Sequence, residues 1–249
     1  MGKTLILGGS TLATALASEM AAAGRPAVLS YAGRTESPLA QPVPTRTGGF
    51  GGVGGLVTFL NENSITSVID ATHPFAVQMS THAIEAANIA GVNLLALEPD
   101  PWAAAPGDKW ACVADIEAAA VALADVAQRI FLAIGRLNLA SFASQPQHHY
   151  LLRLVDRPKI PLPLPKTTVI VERGPFTLEE DVALMKTHEI DLVVAKNAGG
   201  EGARAKIDAA RSLKLPVIMI ERPAIAERRV VSTVSEAMHW LVHEADLGV

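Results

Sequence analysis

Short runs of apolar residues recur along the chain and are separated by longer Ala-rich stretches. The runs are rich in Val, Ile and Leu and do not alternate apolar with polar positions. This pattern is typical of parallel strands that are covered on both faces. Nine strands are predicted in this way, at residues 4–7, 27–31, 67–70, 93–97, 130–133, 150–155, 168–172, 192–195 and 217–220.

The stretches between these runs carry helical patterns that often end at glycine, as Gly24 and Gly91 illustrate. Alternating strands and helices predict an α/β fold with open parallel sheets. The predicted helices are residues 11–23, 54–62, 76–90, 115–127, 178–188, 203–213 and 235–244.

Nine strands exceed what one small doubly wound sheet normally carries. Segment 98–108 is rich in proline and lacks periodicity, which indicates a domain boundary. We therefore expect two domains, at residues 1–98 and 109–249. The proline-rich stretch 157–166 must run extended, and it fits an excursion within the second domain better than a linker.

Composition narrows the class of protein. Apolar residues make up 49% of the 249 positions and charged residues 18%, so a sizeable core is available. The net charge of −4 argues against nucleic acid as the main partner. No apolar run is long enough for a membrane helix, and Gly8 and Gly9 interrupt the apolar start, so we expect a cytoplasmic protein without a membrane partner. A single cysteine, Cys112, excludes a disulfide framework and a Cys-based zinc cluster, and no metal is expected.

The loops that follow the strands carry the candidate chemistry, because ligands of open parallel sheets bind beyond the carboxyl ends of the strands. Gly8, Gly9, Ser10 and Thr11 lead from the first strand into a helix and could hold a phosphate, although the same residues also suit a tight turn capped by Ser10.

The loop after the second strand indicates which dinucleotide such a fold would bind. It offers Ser30, Gly33 and Arg34 and no carboxylate before Glu36. An arginine there accommodates the 2′-phosphate of NADPH, whereas NAD sites use an acidic residue. The sequence therefore favours NADPH, with a solvated surface Arg34 as the alternative.

Two further groups complete the first half. Residues 48–55 contain six glycines, including Gly49, Gly51 and Gly52 around Phe50, and they suit either an anion-binding nest or a mobile lid. Thr72 and His73 follow another strand, where a nicotinamide would lie, and His73 suits a structural cap slightly better than a catalyst.

In the second half, cationic groups again follow the strands. They begin at Arg136, Arg173, Lys196 and Arg222, with Phe176 and a glycine pair, Gly199 and Gly200, close by. An anionic ligand is the natural complement of four converging cations. P-loop, serine-hydrolase and HExxH zinc motifs are missing from the sequence.

Taken together, these loops resemble the precorrin-6A reductase family of corrin biosynthesis over residues 4 to about 223. The resemblance implies two Rossmann-like domains with the active site, NADPH and a tetrapyrrole in the cleft between them. The motifs that carry it are Leu-Gly-Gly-Ser-Thr at 7–11, Ala-Gly-Arg at 32–34, Gly-Gly-Phe-Gly-Gly at 48–52, Asp-Ala-Thr-His-Pro-Phe-Ala at 70–76, Ile-Gly-Arg at 134–136, Arg-Gly-Pro-Phe at 173–176, Lys-Asn-Ala-Gly-Gly at 196–200 and Glu-Arg-Pro at 221–223.

The resemblance implies reduction of one ring double bond of precorrin-6A, giving precorrin-6B in cobalamin biosynthesis. Hydride transfer needs neither a nucleophile nor a metal, and the protein supplies orientation and a dry site. The proton comes from water or from a side chain, with His73 and Lys196 as candidates. The expected cofactor contacts are Gly9, Ser10, Thr11, Ser30, Gly33, Arg34, Thr72, His73, Lys196, Asn197, Gly199 and Gly200, and the expected substrate contacts are Gly49, Phe50, Gly51, Gly52, Arg136, Arg173 and Phe176.

Two alternatives stay open at this point. A two-domain tetrapyrrole cyclase or lyase similar to uroporphyrinogen-III synthase would have a like fold and no need of a dinucleotide. A non-enzymatic NADPH-sensing module would bind the cofactor without turnover. Neighbouring corrin-pathway enzymes are further conceivable partners.

Overall fold

The computed structural model describes residues 2–33 and 39–246, with side chains up to residue 243. These residues form strands and helices that alternate along the chain, all within one α/β architecture. In chain order the elements are β1 (Lys3–Leu7), α1 (Thr11–Ala22), β2 (Ala27–Tyr31), β3 (Thr45–Thr47), α2 (Gly52–Glu62), β4 (Ile65–Asp70), α3 (Val77–Ala90), β5 (Asn93–Leu97), β6 (Lys109–Val113), α4 (Ile116–Val121), β7 (Arg129–Ala133), β8 (His149–Leu154), β9 (Thr167–Val171), α5 (Leu178–Thr187), β10 (Leu192–Lys196), α6 (Ala205–Ser212), β11 (Pro216–Ile220), β12 (Val230–Val231) and α7 (Val234–Asp246).

The first unit is built on a six-stranded parallel sheet in the order β12-β5-β4-β1-β2-β3. Both faces of this sheet are covered, which explains why its strands lack alternation. Along β1, Leu5 and Leu7 pack with α2 and α3, whereas Ile6 packs with α1 and α7 on the opposite face. The order is that of a Rossmann fold, with a topological switch point between β1 and β4.

The second unit has its own six-stranded parallel sheet, in the order β6-β11-β10-β7-β8-β9. From β7 onward the chain follows the same Rossmann path, with the switch point between β7 and β10. One face is covered by α5 and α6, whose Met185 and Ile207 pack with Phe131 and Val193 of the strands. The expected pair of Rossmann-like domains is therefore confirmed.

The structure divides the chain differently from the predicted domains 1–98 and 109–249. One unit consists of Met1–Asp100 together with Ala224–Val249, and the other is Pro101–Pro223. The chain returns to the first sheet because β12 pairs in parallel with β5, where Ala96 N donates to Arg229 O at 2.9 Å. An ion pair between Arg228 and Glu98 lies beside this pairing.

The two units thus exchange their sixth strands. After β5 the chain leaves the first sheet, and β6 takes the outer position beside β11 of the second sheet. After β11 it returns, and β12 takes the equivalent position beside β5 of the first sheet. A linear division of the sequence cannot represent this connectivity.

All nine predicted strands are present, with ends displaced by two residues at most. Three strands were missed, β3, β6 and β12, and each lies at the edge of its sheet with mostly exposed or half-buried residues. Two of them, β3 and β12, are only three and two residues long, too short for the apolar runs by which the other strands were predicted. The seven predicted helices are also present, but the helix predicted at 115–127 extends only over Ile116–Val121.

Helix α7 completes the core of the first unit, which leads to a prediction on stability. Trp240 is 4% exposed and belongs to the cluster that contains Ile6, Leu16 and Leu97. We expect Trp240→Ala to lower the free energy of unfolding by about 3–5 kcal/mol, because it removes a large buried side chain and leaves a cavity. Urea unfolding followed by circular dichroism measures this change.

Val242 provides the matched control, since it lies on the same helix and is 43% exposed. We expect Val242→Ala to change the free energy of unfolding by no more than about 0.5 kcal/mol. Equal effects of the two substitutions would contradict a core role for α7.

Candidate functional site

Ser10 connects the two loops that flank the switch point of the first unit. Its Oγ donates to Ala71 O, in the loop after β4, at 2.7 Å. The same Oγ accepts from Ala13 N at 3.2 Å and caps helix α1. The cap expected from the sequence is therefore present, and it additionally fixes the spacing of the two loops. Thr11 is the exposed first residue of α1.

Asp70 organises the end of β4. Its carboxylate is 1% exposed, and Oδ1 accepts from Thr72 N at 3.2 Å and from Thr72 Oγ1 at 2.7 Å. Its other oxygen, Oδ2, is buried and has no hydrogen-bond partner among the described residues. The hydroxyl of Thr72, predicted to contact cofactor, therefore donates inward to Asp70.

His73 is exposed at the start of the following turn. Its Nδ1 accepts from Phe75 N at 3.2 Å, and the two rings lie 5.6 Å apart. Because Nδ1 is an acceptor in this bond, a neutral His73 carries its proton on Nε2. His73 therefore caps the local turn through Nδ1, and its Nε2–H is on the other side of the ring from this bond.

Arg46 holds the glycine-rich loop, a role that was not predicted from the sequence. Its Nη1 donates to Ser30 Oγ at 2.7 Å and to Gly48 O at 3.0 Å, while Nη2 donates to Gly49 O at 3.0 Å. Its guanidinium carbon lies 3.9 Å from the ring centre of Phe50. Burial lowers the pKa of Arg46, although an arginine remains charged in a protein. Ser30 and Phe50, expected to touch ligands, thus also surround this guanidinium.

The glycines at this edge leave the backbone accessible. Apart from each glycine's own chain neighbours and helix backbone, none of the described residues places an atom within 4 Å of the position a Cβ would take at Gly9, Gly48, Gly49, Gly51 or Gly52. Gly51 has φ 82° and begins the 11-residue helix α2 without a side-chain cap. Uncapped N–H groups and the helix dipole suit an anion, so these residues fit a phosphate-bearing cofactor or a carboxylate. Gly33 has φ 74° and lies at the next loop, whereas the predicted Arg34 lies outside the described residues.

In the second unit, the loop after β10 is mainly internal structure. Asn197 is 3% exposed, and its amide accepts from Trp102 N at 2.8 Å and donates to Trp102 O at 3.1 Å. Gly200 O accepts from the indole of Trp102 at 2.7 Å. Asn197 was predicted to bind cofactor, but both of its amide atoms are used to hold segment 98–108 against this unit. A cofactor contact of Asn197 stays a prediction.

The cations predicted in this unit have different environments. Lys196 Nζ donates to Asn138 Oδ1 at 3.0 Å. Arg222 bridges two carbonyls, with Nε on Asn197 O at 3.0 Å and Nη2 on Ala198 O at 2.9 Å, so it stabilises the same loop. Arg136 and Arg173 are exposed beyond the ends of β7 and β9.

A cavity of about 190 Å³ lies beside the carboxyl ends of β7 and β8. Arg153 crosses its wall, with Nη1 2.6 Å from Asp181 Oδ1 and its guanidinium carbon 3.4 Å from the ring centre of Phe176. The lining residues are Phe131, Ala133, Gly135, Arg153, Gly174, Phe176, Asp181, Gly202, Ala203, Ala205 and Lys206. Among the aromatic and charged members of this set, only Phe176 was predicted from the sequence as a site residue.

Lys206 is half-buried at this cavity, and its Nζ donates to Ala203 O at 2.6 Å. Withdrawal from water lowers its pKa to about 8, and the positive charge of Arg153 acts in the same direction. Asp181 opposes both effects. Since Arg153 and Asp181 form an ion pair, Lys206 is the surplus cation of this group.

No metal site is evident in the part of the chain that is described. Residues 2–33 and 39–246 contain no cluster of three or more His, Cys, Asp or Glu side chains placed to hold an ion. Within the same residues, none of the helices has the length and apolar content required to span a membrane.

The chain is similar to known proteins over nearly its whole length. The precorrin-6A reductase of Rhodobacter capsulatus is 54% identical over 241 residues, which cover 97% of this chain and 96% of the relative. That of Sinorhizobium sp is 44% identical over 242 residues, with 97% and 93% covered. The solved structure of a CobK precorrin-6A reductase matches with a TM-score of 0.96 and 53% identity, covering 98% of this chain and 97% of its own.

These relatives match the chain over nearly its whole length. The match therefore includes the glycine-rich loops, the Asp-Ala-Thr-His turn and both parallel sheets. The family model described as Precorrin-6x reductase CbiJ/CobK matches residues 3–242, nearly the whole sequence. The chain belongs to the precorrin-6x reductase family.

Proposed function

We propose that this protein uses NADPH to reduce one ring double bond of precorrin-6A, giving precorrin-6B in cobalamin biosynthesis. The proposal rests on one observation: in a chain of this reductase family, the loops at the strand ends of a Rossmann sheet contain glycines that leave the backbone accessible. Membership of a reductase family argues against a cyclase or lyase and against a sensing module without turnover.

In this proposal the first unit holds the cofactor. Gly9, Ser10 and Thr11 offer backbone N–H groups at the start of α1 to the pyrophosphate. Ser30, Gly33 and Arg34 follow β2, where a Rossmann fold binds the adenosine ribose, and Arg34 is proposed to bind the 2′-phosphate. Thr72 and His73 follow β4 across the switch point, which suits the nicotinamide end.

NADPH supplies a hydride to a ring carbon of the substrate when it is bound. The chain's own contribution is to orient the two reactants and to exclude water. The bond from Ser10 to Ala71 and the bonds from Thr72 to Asp70 support this role, because they fix the two loops relative to each other. A fixed edge costs little reorganisation during the reaction.

The neighbouring ring carbon also requires a proton. His73 Nε2 carries one in the neutral imidazole, and Lys196 Nζ carries others while bonded to Asn138. We propose that water delivers the proton and that His73 positions a reactant, because its Nδ1 already caps the local turn. The cytoplasmic location and contacts with neighbouring pathway enzymes stay predictions.

The substrate contacts are proposed to be carboxylate contacts. A precorrin carries many carboxylates, and the glycine-rich loop from Gly49 to Gly52 offers an uncapped helix start. In the second unit, Arg136 and Arg173 are next to Gly135 and Gly174, two of the three glycines that line the cavity, and Phe176 forms part of its wall. Gly199 and Gly200 have φ 72° and 65° beside Lys196, and their cofactor contacts stay predictions.

The first test is direct. Stopped-flow loss of NADPH absorbance on addition of precorrin-6A should follow substrate concentration and yield precorrin-6B in equal amount. NADH should bind more weakly by about 1.5–3 kcal/mol, the range for loss of a charge-assisted hydrogen bond. Binding of NADPH without oxidation would instead support the sensing module, and absence of NADPH binding would reject the proposal.

The glycine-rich loop generates a second prediction. Gly51→Ala puts a side chain at φ 82°, which costs roughly 1–2 kcal/mol of stability for an L-residue. We expect it also to reduce reductase activity at least tenfold, because the start of α2 shifts away from its ligand. Steady-state kinetics together with thermal unfolding measures both effects.

Gly91 is the matched control, since it has φ 66° at the end of α3 and equally open surroundings. Gly91→Ala should cost similar stability and leave the kinetics of the folded protein unchanged. If both variants lose activity only in proportion to folded protein, the loop has a structural role alone.

A third prediction concerns His73. Single-turnover hydride transfer by His73→Ala at saturating NADPH should slow by less than about tenfold, as expected for a cap or positioning contact worth roughly 1 kcal/mol. A general acid typically contributes about 10²–10⁴ in rate. A loss beyond a hundredfold, with both ligands still bound normally, would make His73 the proton donor.

A further inference from the structure

Arg46 lies between two loops that the proposed function assigns to different ligands. Strand β3 pairs in parallel with β2, and the register places Arg46 opposite Ser30. Ser30 is near the carboxyl end of β2, where the cofactor is proposed to bind. The glycine-rich loop, residues 48–52, follows β3 and is proposed to contact the substrate. Arg46 is therefore at the junction of a cofactor loop and a substrate loop.

The guanidinium holds the glycine-rich loop through polar and aromatic contacts. Nη1 donates to Gly48 O and Nη2 donates to Gly49 O, both at 3.0 Å. The centre of the Phe50 ring lies 3.9 Å from Arg46 Cζ. Phe59 of α2 packs edge-on against Phe50, with the ring centres 5.2 Å apart. The positions of the loop and of helix α2 are thus tied to one side chain.

The Ser30 hydroxyl provides the connection to the cofactor side. Its Oγ accepts from Arg46 Nη1 at 2.7 Å. Because Oγ is the acceptor in this bond, the O–H of Ser30 can donate to a cofactor oxygen. Ser30 is 5% exposed, and hydrogen bonds that form a chain away from water polarise one another. A cofactor that accepts the Ser30 proton therefore strengthens the bond from Arg46 and fixes the orientation of the guanidinium.

The glycine-rich loop benefits from this fixing, because glycine loses more conformational freedom on ordering than any other residue. Gly48, Gly51 and Gly52 have φ 118°, 82° and 88°, which are values that favour glycine. A first ligand that orders this loop supplies part of the entropic cost, so a second ligand that needs the ordered loop binds more tightly.

We propose that Arg46 is a positioning residue that couples cofactor binding to substrate binding through Ser30 and the glycine-rich loop. The inference rests on the proposed function, which assigns the two ligands to the two loops. Coupling is reciprocal, so the cofactor raises the affinity for substrate by the factor by which substrate raises the affinity for cofactor. The guanidinium is required because its donors form one rigid fork, whereas a lysine ammonium is a point charge on a flexible stem.

Binding measurements with the oxidised cofactor test the proposal without turnover, because NADP+ has no hydride to transfer. Saturating NADP+ should lower the Kd of precorrin-6A by about fivefold or more, the lower end of typical couplings. Saturating precorrin-6A should lower the Kd of NADP+ by the same factor. Titration calorimetry measures both. In Arg46→Lys and Arg46→Met we expect this coupling factor to approach one.

Two further variants separate coupling from a loss of structure. Arg25 is the matched control, since it is also half-buried in the first unit and donates to a backbone carbonyl, Leu241 O, at 3.1 Å. Arg25→Lys should retain the wild-type coupling factor. Ser30→Ala removes the connection but not the bonds from Arg46 to the loop, so it should weaken NADP+ binding and lower the factor. A purely structural defect would weaken each ligand equally with and without the other and leave the factor unchanged.

Hydrogen exchange followed by mass spectrometry locates the effect in the chain. NADP+ should slow amide exchange of residues 48–52 in the wild type, because it stabilises the ordered loop. In Arg46→Met at saturating NADP+, exchange of the same residues should match that of the ligand-free variant. Equal protection in both proteins would show that the cofactor orders the loop by direct contact and would overturn the role of Arg46.

The outcomes separate this proposal from the proposed function. Normal NADPH oxidation by precorrin-6A together with a coupling factor of one in the wild type would overturn the coupling and leave the reductase function intact. A coupling factor that depends on Arg46, without NADPH oxidation, would support the coupling and reject the reductase function. A wild-type coupling factor in Arg46→Met would overturn the coupling role whatever the turnover.

Discussion

The parallel pairing of β1 with β4 is the constraint on which the candidate site depends. At this pair the chain changes the direction in which it adds strands, so the loops after the two strands diverge and open a crevice. Ser10 spans that crevice edge through its bond to Ala71, while its cap directs the start of α1 toward the same edge. The glycines there need not create a pocket, because the strand order already provides one. They keep the backbone accessible to a ligand, as the open surroundings of Gly9 indicate.

The strands that could be predicted from the sequence are mainly those whose side chains are buried on both faces of a sheet. Strands in the middle of each sheet bury both faces, and β1 with Leu5, Ile6 and Leu7 fully enclosed is a plain example. Of the four edge strands, β9 was predicted and β3, β6 and β12 were not: β3 and β12 are only three and two residues long, and β6 is mostly exposed. The exchange of sixth strands could not be predicted from the sequence for a different reason. Val230 and Val231 belong to the first sheet because they pair with Ala96 and Leu97, more than a hundred positions earlier. No local pattern encodes which sheet a two-residue strand joins.

The candidate site was predictable to the extent that its loops are local. The turn around His73 and the cap at Ser10 depend on neighbours a few positions away. The bonds of the Asn197 amide to Trp102 could not be predicted, because residue type does not reveal whether an amide faces a ligand or the chain's own backbone, and Trp102 is 95 positions distant. Lys206 was missed for the same reason, since its environment comes from β8, α5 and the cavity together.

Several arginines of this protein hold its own chain in place. Arg46, Arg153 and Arg222 each bind fixed partners of the chain itself: carbonyls, a carboxylate and aromatic rings. The planar guanidinium suits such fixed geometry, because several donors are held in one rigid fork. Arg46 and Arg153 do this from within strands and Arg222 from the loop after β11. The net charge of −4 therefore says little about the local field at the strand ends, where the start of α2 has no side-chain cap and offers backbone N–H groups that suit an anion.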